Sequence, residues 1–306
     1  MMPPLAFFPA AARSSEISDR DKGKMSEYLS REQFSSLARA TKVSNRVIAA
    51  GDPRTDADIL RRLADDDSPT VRRALASRAV APVGVLRKLA EDPDRRTRRI
   101  LVENPICPPG ALVDLVNDPD RYIRWTIPDR PGATEEVHLA ICSSSDVDLR
   151  CLLAERPDLD GAVTTRLVSD SSPIVRSALA AHTTDTTVLA ALVGDAHVKV
   201  RAGAAQNPLT RSEQRLRLAR DTAPAVRFTL IQSVPLDDEI VQILLVDPCA
   251  EVRWWLATMP STPRWALEIL RNDSDVKVAT QAQATLAHHE VPPVRLGEAE
   301  RGGVLT

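Results

Sequence analysis

An arginine recurs along this chain at Arg46, Arg72, Arg98, Arg124, Arg150, Arg176, Arg201, Arg227 and Arg253. Seven of the eight intervals are 26 residues and one is 25. Six residues ahead of most of these arginines stands a carboxylate: Asp66, Asp92, Asp118, Asp170, Asp195, Asp221 and Asp247. Ser144 breaks this column, Ala40 stands at its start, and Asp273 continues it past the last arginine to Ala279. A row of guanidinium groups offers two chemistries. Turned to solvent it would meet the phosphates of a nucleic acid. Turned inward it would clasp carboxylates through two parallel hydrogen bonds.

The ends of the row favour the second. Pairing within a repeat would strand Arg46 and Asp273. Pairing each arginine with the acid twenty residues on, nineteen across the short interval, uses both. The expected rungs are Arg46–Asp66, Arg72–Asp92, Arg98–Asp118, Arg150–Asp170, Arg176–Asp195, Arg201–Asp221, Arg227–Asp247 and Arg253–Asp273. Arg124 faces Ser144, with Asp146 as the nearby substitute. If exposed, each rung is worth about 0–1 kcal/mol and serves register as much as stability.

Short helices must carry these residues. The segment VRRALAS around Arg72 has the period of one helix, and Val85, Leu86 and Leu89 in APVGVLRKLAED mark a second. The repeated aspartate is a natural N-cap for the first helix. The Asn-Pro of ENPICPP and of QNPLT stops it. Neither helix reaches a stable length alone, so stability has to come from stacking on the next repeat. Two aliphatic columns are placed to do this: Leu75, Leu101, Ile127, Leu153, Leu179, Ala204, Leu230 and Leu256, and Leu63, Leu89, Leu115, Ile141, Leu167, Leu192, Leu218, Leu244 and Leu270. The fold class is all-α, a solenoid of about nine two-helix repeats of 26 residues.

The unit D-x-x-x-x-V-R-x-x-L-A, followed by proline and a leucine-rich helix, resembles the leucine-rich repeat variant family. That resemblance spans about residues 41–289. It implies a right-handed superhelix of alternating α- and 3₁₀-helices. The Asp–Arg spacing is also similar to HEAT repeats, whose units are longer. One member of the variant family carries an iron–sulfur centre on an N-terminal cysteine cluster. This chain has no cysteine before Cys107, so no cofactor is expected.

Function in a solenoid lies where its repeats differ. The residue after each arginine runs Arg73, Arg99, Trp125, Cys151, Ser177, Ala202, Phe228, Trp254. So varied a column is expected at the surface. Four residues on, the same face carries Ser77, Glu103, Asp129, Glu155, Ala181, Gln206, Gln232 and Thr258. Arg73, Arg99, Trp125, Asp129, Phe228 and Trp254 are the candidate partner-binding residues, since exposed Trp and Arg are common anchors. The alternative is that Trp125 and Trp254 cover neighbouring loops. The repeat at 118–143 is irregular, with Pro128 inside its short helix and His138 where other repeats carry leucine. HEAT-like DNA glycosylases use an aromatic and a carboxylate in a concave cleft, so Trp125 and Asp129 carry a minor nucleic-acid alternative. His138 reads as a packed histidine rather than a catalyst.

Composition narrows the rest. The 306 residues carry a net charge of -2, unlike the basic balance of most nucleic-acid binders. Four cysteines, Cys107, Cys142, Cys151 and Cys249, form no CxxC pair and fall in different columns. That pattern suits free thiols in a reducing compartment, the cytoplasm, and holds neither disulfide framework nor metal site. No phosphate loop, HExxH or GxSxG is present. The expected organisation is a disordered extension at 1–25, a capping helix at 26–40 with Tyr28, Leu29, Phe34 and Leu37 inward, repeats over 41–289, and a flexible tail at 290–306 able to carry a docking peptide. The expected function is a non-catalytic scaffold for a protein or peptide partner, without membrane association.

Overall fold

The computed structural model describes residues 31–233 and 235–290. Every regular element among them is helical. The repeats fall into two compact units, one reaching Ala140 and the other starting at Ile141. The first holds α1 (Arg31–Leu37), α2 (Val43–Gly51), α3 (Ala57–Leu63), α4 (Pro69–Ala76), α5 (Val83–Ala90), α6 (Arg95–Glu103), α7 (Pro109–Leu115), α8 (Arg121–Thr126) and a 3₁₀ turn, Ile127–Asp129. Helix α9 (Glu135–Cys142) carries the chain across the boundary. The second unit holds α10 (Val147–Ala154), α11 (Gly161–Val168), α12 (Pro173–His182), α13 (Thr186–Leu192), α14 (Val198–Gln206), α15 (Ser212–Ala219), α16 (Pro224–Ser233), α17 (Asp238–Leu245), α18 (Ala250–Thr258), α19 (Arg264–Leu270) and α20 (Val276–Glu290).

Most helices are only two or three turns long, too short to persist without neighbours. Within each unit the helix bearing the arginine stacks on its counterpart in the next repeat: α2 on α4 on α6 on α8 in the first, and α10 on α12 on α14 on α16 on α18 on α20 in the second. The second helices stack likewise, α3 on α5 on α7 and α15 on α17 on α19. Each unit is thus a repeat solenoid with nearest-neighbour packing. Both aliphatic columns are buried throughout. The second helix of each pair is α-helical, in contrast to the 3₁₀ helices that the family resemblance implies. The 3₁₀ turn occurs only once among the described residues, where Pro128 denies α8 its next backbone donor.

A second polar seam runs beside the aliphatic ones. Asn104 closes α6, and its buried side-chain amide donates to the carbonyls of Ala76 and Arg78, both at 2.7 Å. Asn207 closes α14 and donates to Ala180 and Thr183 at 2.9 Å. Arg78 fills the equivalent place one repeat earlier and reaches Ala50 and Asp52 carbonyls at 2.6 and 2.8 Å. The last turn of a helix leaves its carbonyls without partners, and here the following repeat supplies them. Burial pushes the Arg78 pKa down, yet its donors remain bonded.

Glycine is required at Gly203. A Cβ there would lie 2.5 Å from the Ser177 carbonyl oxygen, so α14 can approach α12 this closely only without a side chain. Ser177 Oγ donates to the Lys199 carbonyl at 2.8 Å across the same contact. Gly203→Ala gains about 1 kcal/mol in helix propensity but has to push two backbones apart. Overpacking costs more, so a net loss of about 1–2 kcal/mol is expected in urea unfolding. An unchanged midpoint would refute the close approach.

At the amino-terminal end α1 buries Phe34, half-buries Leu37, and sets the Phe34 ring under Arg54 at 4.9 Å. Tyr28 and Leu29, the 1–25 extension and the tail from 291 onward lie outside the described residues.

Candidate functional site

The recurrent arginines and acids meet within each unit. In the first, Arg46, Arg72 and Arg98 clasp Asp66, Asp92 and Asp118; in the second, Arg150, Arg176, Arg201, Arg227 and Arg253 clasp Asp170, Asp195, Asp221, Asp247 and Asp273. Every clasp is bidentate. Nε donates to Oδ2 at 2.5–2.8 Å and Nη2 donates to Oδ1 at 2.7–3.2 Å. The third nitrogen, Nη1, donates back to the carbonyl six residues earlier at 2.5–3.0 Å. Each arginine therefore bridges the turn of its own repeat to the turn of the next. Arg124 makes the backward bond to the Asp118 carbonyl, and the buried Ser144 receives the same bond from Arg150.

One expectation needs correction here. The ladder acids do not cap the helices. They sit two residues before the N-cap, and Oδ1 accepts the backbone N–H two residues on at 2.7–2.9 Å. That Asx-type turn aims the carboxylate sideways at the preceding repeat. The caps are Ser68, Asp94, Asp120, Asp146, Ser172, His197 and Cys249. The rungs, whose exposure the sequence leaves open, are largely buried. The Arg227 and Asp247 side chains are 7 % and 3 % accessible, so this rung obeys the energetics of a buried ion pair.

The variable column is less open than its variety suggests, because all eight of its members are half-buried and so only partly accessible. Arg73 is held by Asp94, Nε and Nη2 both at 2.8 Å. Arg99 is held by Asp120 through Nε and through Nη2, the latter at 3.1 Å. These are a second set of inter-repeat clasps, and they hold both Asp94 and Asp120 far below the usual carboxylate range. Arg73 and Arg99 are therefore engaged internally; the signal that could have found this is the 21-residue separation of each from the second aspartate of the next D-P-D turn. Trp125 has Arg121 over its ring at 3.6 Å, and Tyr122 has Arg99 over its ring at 4.7 Å. Arg121 thus covers one face of the Trp125 ring, while Asp129 lies exposed at the end of the 3₁₀ turn.

Phe228 and Trp254 behave differently. Together with Trp255 they form one aromatic cluster on α16 and α18. Phe228 stacks on Trp255 with centroids 6.3 Å apart and planes at 25°, and Trp254 meets Trp255 edge-on at 5.2 Å and 77°. Trp255 was not singled out by the sequence pattern, because its column otherwise holds small or aliphatic residues.

The chain is similar to a solved structure described as a leucine-rich repeat variant with a novel repetitive protein structural motif. Identity is 24 %, covering 71 % of this chain and 84 % of that one, with a TM-score of 0.44. No family model matches the chain, and no curated protein does. The likeness assigns no function.

A groove of about 600 Å³ lies along the ladder edge between the turns at 219–227 and 243–249. The Arg227–Asp247 rung forms part of its lining, and Val246 is strongly exposed there. No described helix is long and apolar enough to cross a membrane. His138 is buried, as a packed residue would be. The four cysteines are free thiols. Burial raises Cys107 to about 12 and Cys142 and Cys151 to about 11, so their nucleophilic thiolates are scarce at neutral pH. Cys107 is expected to resist a thiol reagent at pH 8 until denaturant is added. Stoichiometric labelling in native buffer would contradict this.

Proposed function

We propose that this chain is a non-catalytic scaffold that holds a protein or peptide partner along the outer face of its arginine-bearing helices. The supporting observation is how polar groups are used. Ladder, D-P-D clasps and asparagine seam bond the recurrent polar groups to neighbouring repeats, which leaves the outer face as the place where repeats differ. In the first unit this face carries ion-paired arginines, and in the second it carries an aromatic cluster. Cytoplasmic residence is part of the proposal, in keeping with four free thiols.

Ladder arginines clasped by aspartates are poorly placed to neutralise phosphates. A salt titration against duplex DNA tests this. No binding is expected at low ionic strength, and steeply salt-dependent binding would replace the scaffold reading with a nucleic-acid one. Selection of peptides from a random phage-displayed library against the immobilised full chain tests the scaffold directly. Recovery of specific binders is expected, and a library that yields none would count against it.

A further inference from the structure

The chain contains its own precedent for what covers a tryptophan on this face. Trp125 follows Arg124, and Arg121, one helical turn earlier on α8, lays its guanidinium 3.6 Å from the ring centre. Trp254 follows Arg253 in the same way on α18. The position that matches Arg121 is Ala250. Trp254 thus occupies the register of Trp125 without the cationic cover. No arginine or lysine lies over Phe228, Trp254 or Trp255 among the described residues. The carboxylate of Glu251 sits at the i−3 and i−4 positions from Trp254 and Trp255, so it shares their helix face. Glu251 is exposed and makes no hydrogen bond or ion pair among the described residues.

We propose that the Phe228–Trp254–Trp255 cluster binds an arginine side chain presented by a protein partner, with Glu251 as its counter-charge. This deepens the scaffold reading and rests on it. A guanidinium over a tryptophan face gains from the ring quadrupole, and more as water leaves. Arginine is favoured over lysine because its flat, weakly hydrated head can lie on the indole and present N–H donors to a carboxylate at its edge. Lys277 holds the position of Glu251 one repeat on, at the edge of the same face. The site therefore takes a single cation beside Glu251 and repels a polybasic run.

The probe is a blocked hexapeptide with one central arginine, compared with the same peptide carrying neutral, isosteric citrulline. The readout is the indole N–H resonances of the full chain. The arginine peptide is expected to shift those of Trp254 and Trp255, leave that of Trp125 in place, and bind about tenfold more tightly than the citrulline peptide. Glu251→Gln is expected to weaken binding severalfold. Ala250→Arg, which supplies from within what Arg121 supplies at Trp125, is expected to abolish it while leaving the unfolding transition unchanged. Equal binding of the two peptides, no shift at either indole, or undiminished binding by Ala250→Arg would each overturn the proposal. The phage selection separates the two levels. Binders that survive Ala250→Arg sink the arginine site and leave the scaffold standing, whereas an empty selection sinks the scaffold reading itself.

Discussion

Asp247→Ala is expected to cost the second unit about 3–5 kcal/mol, the range for breaking a buried ion pair from one side. Arg227 is 6 % accessible, and the hydrogen bond it donates to Asp247 is the main cause of its raised pKa. Without that carboxylate its Nε and Nη2 lose their acceptors, while Nη1 stays pinned to the Asp221 carbonyl at 2.5 Å. The guanidinium cannot shed its charge, because arginine stays protonated, and the bond from Nη1 holds it in place. The Cys249 backbone N–H also loses its acceptor, so the turn before α18 loosens. Replacing both partners, Arg227→Met with Asp247→Leu, is expected to recover most of the loss, because paired removal leaves no buried charge behind. Stacked repeats need not unfold as one unit, so hydrogen exchange over α16, α17 and α18 is the appropriate readout beside urea melting. If the single variant unfolds like wild type, the rung is not bearing on stability. If the double variant is as unstable as Asp247→Ala, the loss comes from packing rather than from an orphaned charge.

The repeat length, both aliphatic columns and the acid-to-arginine pairing were legible in sequence because each recurs in register. What the pattern hid was depth. A conserved-looking charge pair at fixed spacing reads the same whether water reaches it or not. Burial is a property of the packed repeats, where the Arg227 and Asp247 side chains are 7 % and 3 % accessible. The variable column was misjudged for a related reason. Variety suggests exposure, yet two of the varied residues, Arg73 and Arg99, are clasped by Asp94 and Asp120 of the next repeat. The N-cap was placed two residues early because an Asx-type turn and an N-cap both use aspartate before a helix. Only the destination of the carboxylate, its own backbone or the neighbour's guanidinium, separates them.

The cluster at Trp254 shows how far such register reasoning extends. Aligning α8 with α18 places Trp125 on Trp254 and Arg121 on Ala250, and the difference between the two repeats becomes a single missing cation. Sequence alone supplied the alignment. It did not supply the 3.6 Å stacking of Arg121, which gives the missing residue a meaning.

Acid should dismantle both units in a narrow window, and the sign follows from the carboxylates. Hydrogen bonds from Arg73 and Arg99 depress Asp94 and Asp120, and those from Arg176 and Arg253 depress Asp195 and Asp273. An unfolded aspartate titrates near 3.9. Each folded value lies below that, so the unfolded chain binds more protons in between and stability rises with pH there. The contribution is complete above about pH 5 and drains away as pH falls through the unfolded value toward the folded ones. Because the pairs repeat along each stack, many small linkages add. The urea midpoint is expected to hold steady from about pH 6 to 5 and to fall steeply below about pH 4. Asp195→Asn with Arg176→Gln, which removes one linked proton site, should shallow that fall for the second unit. A midpoint that stays level down to about pH 3 would mean these clasps contribute no proton-linked stability, whatever their geometry.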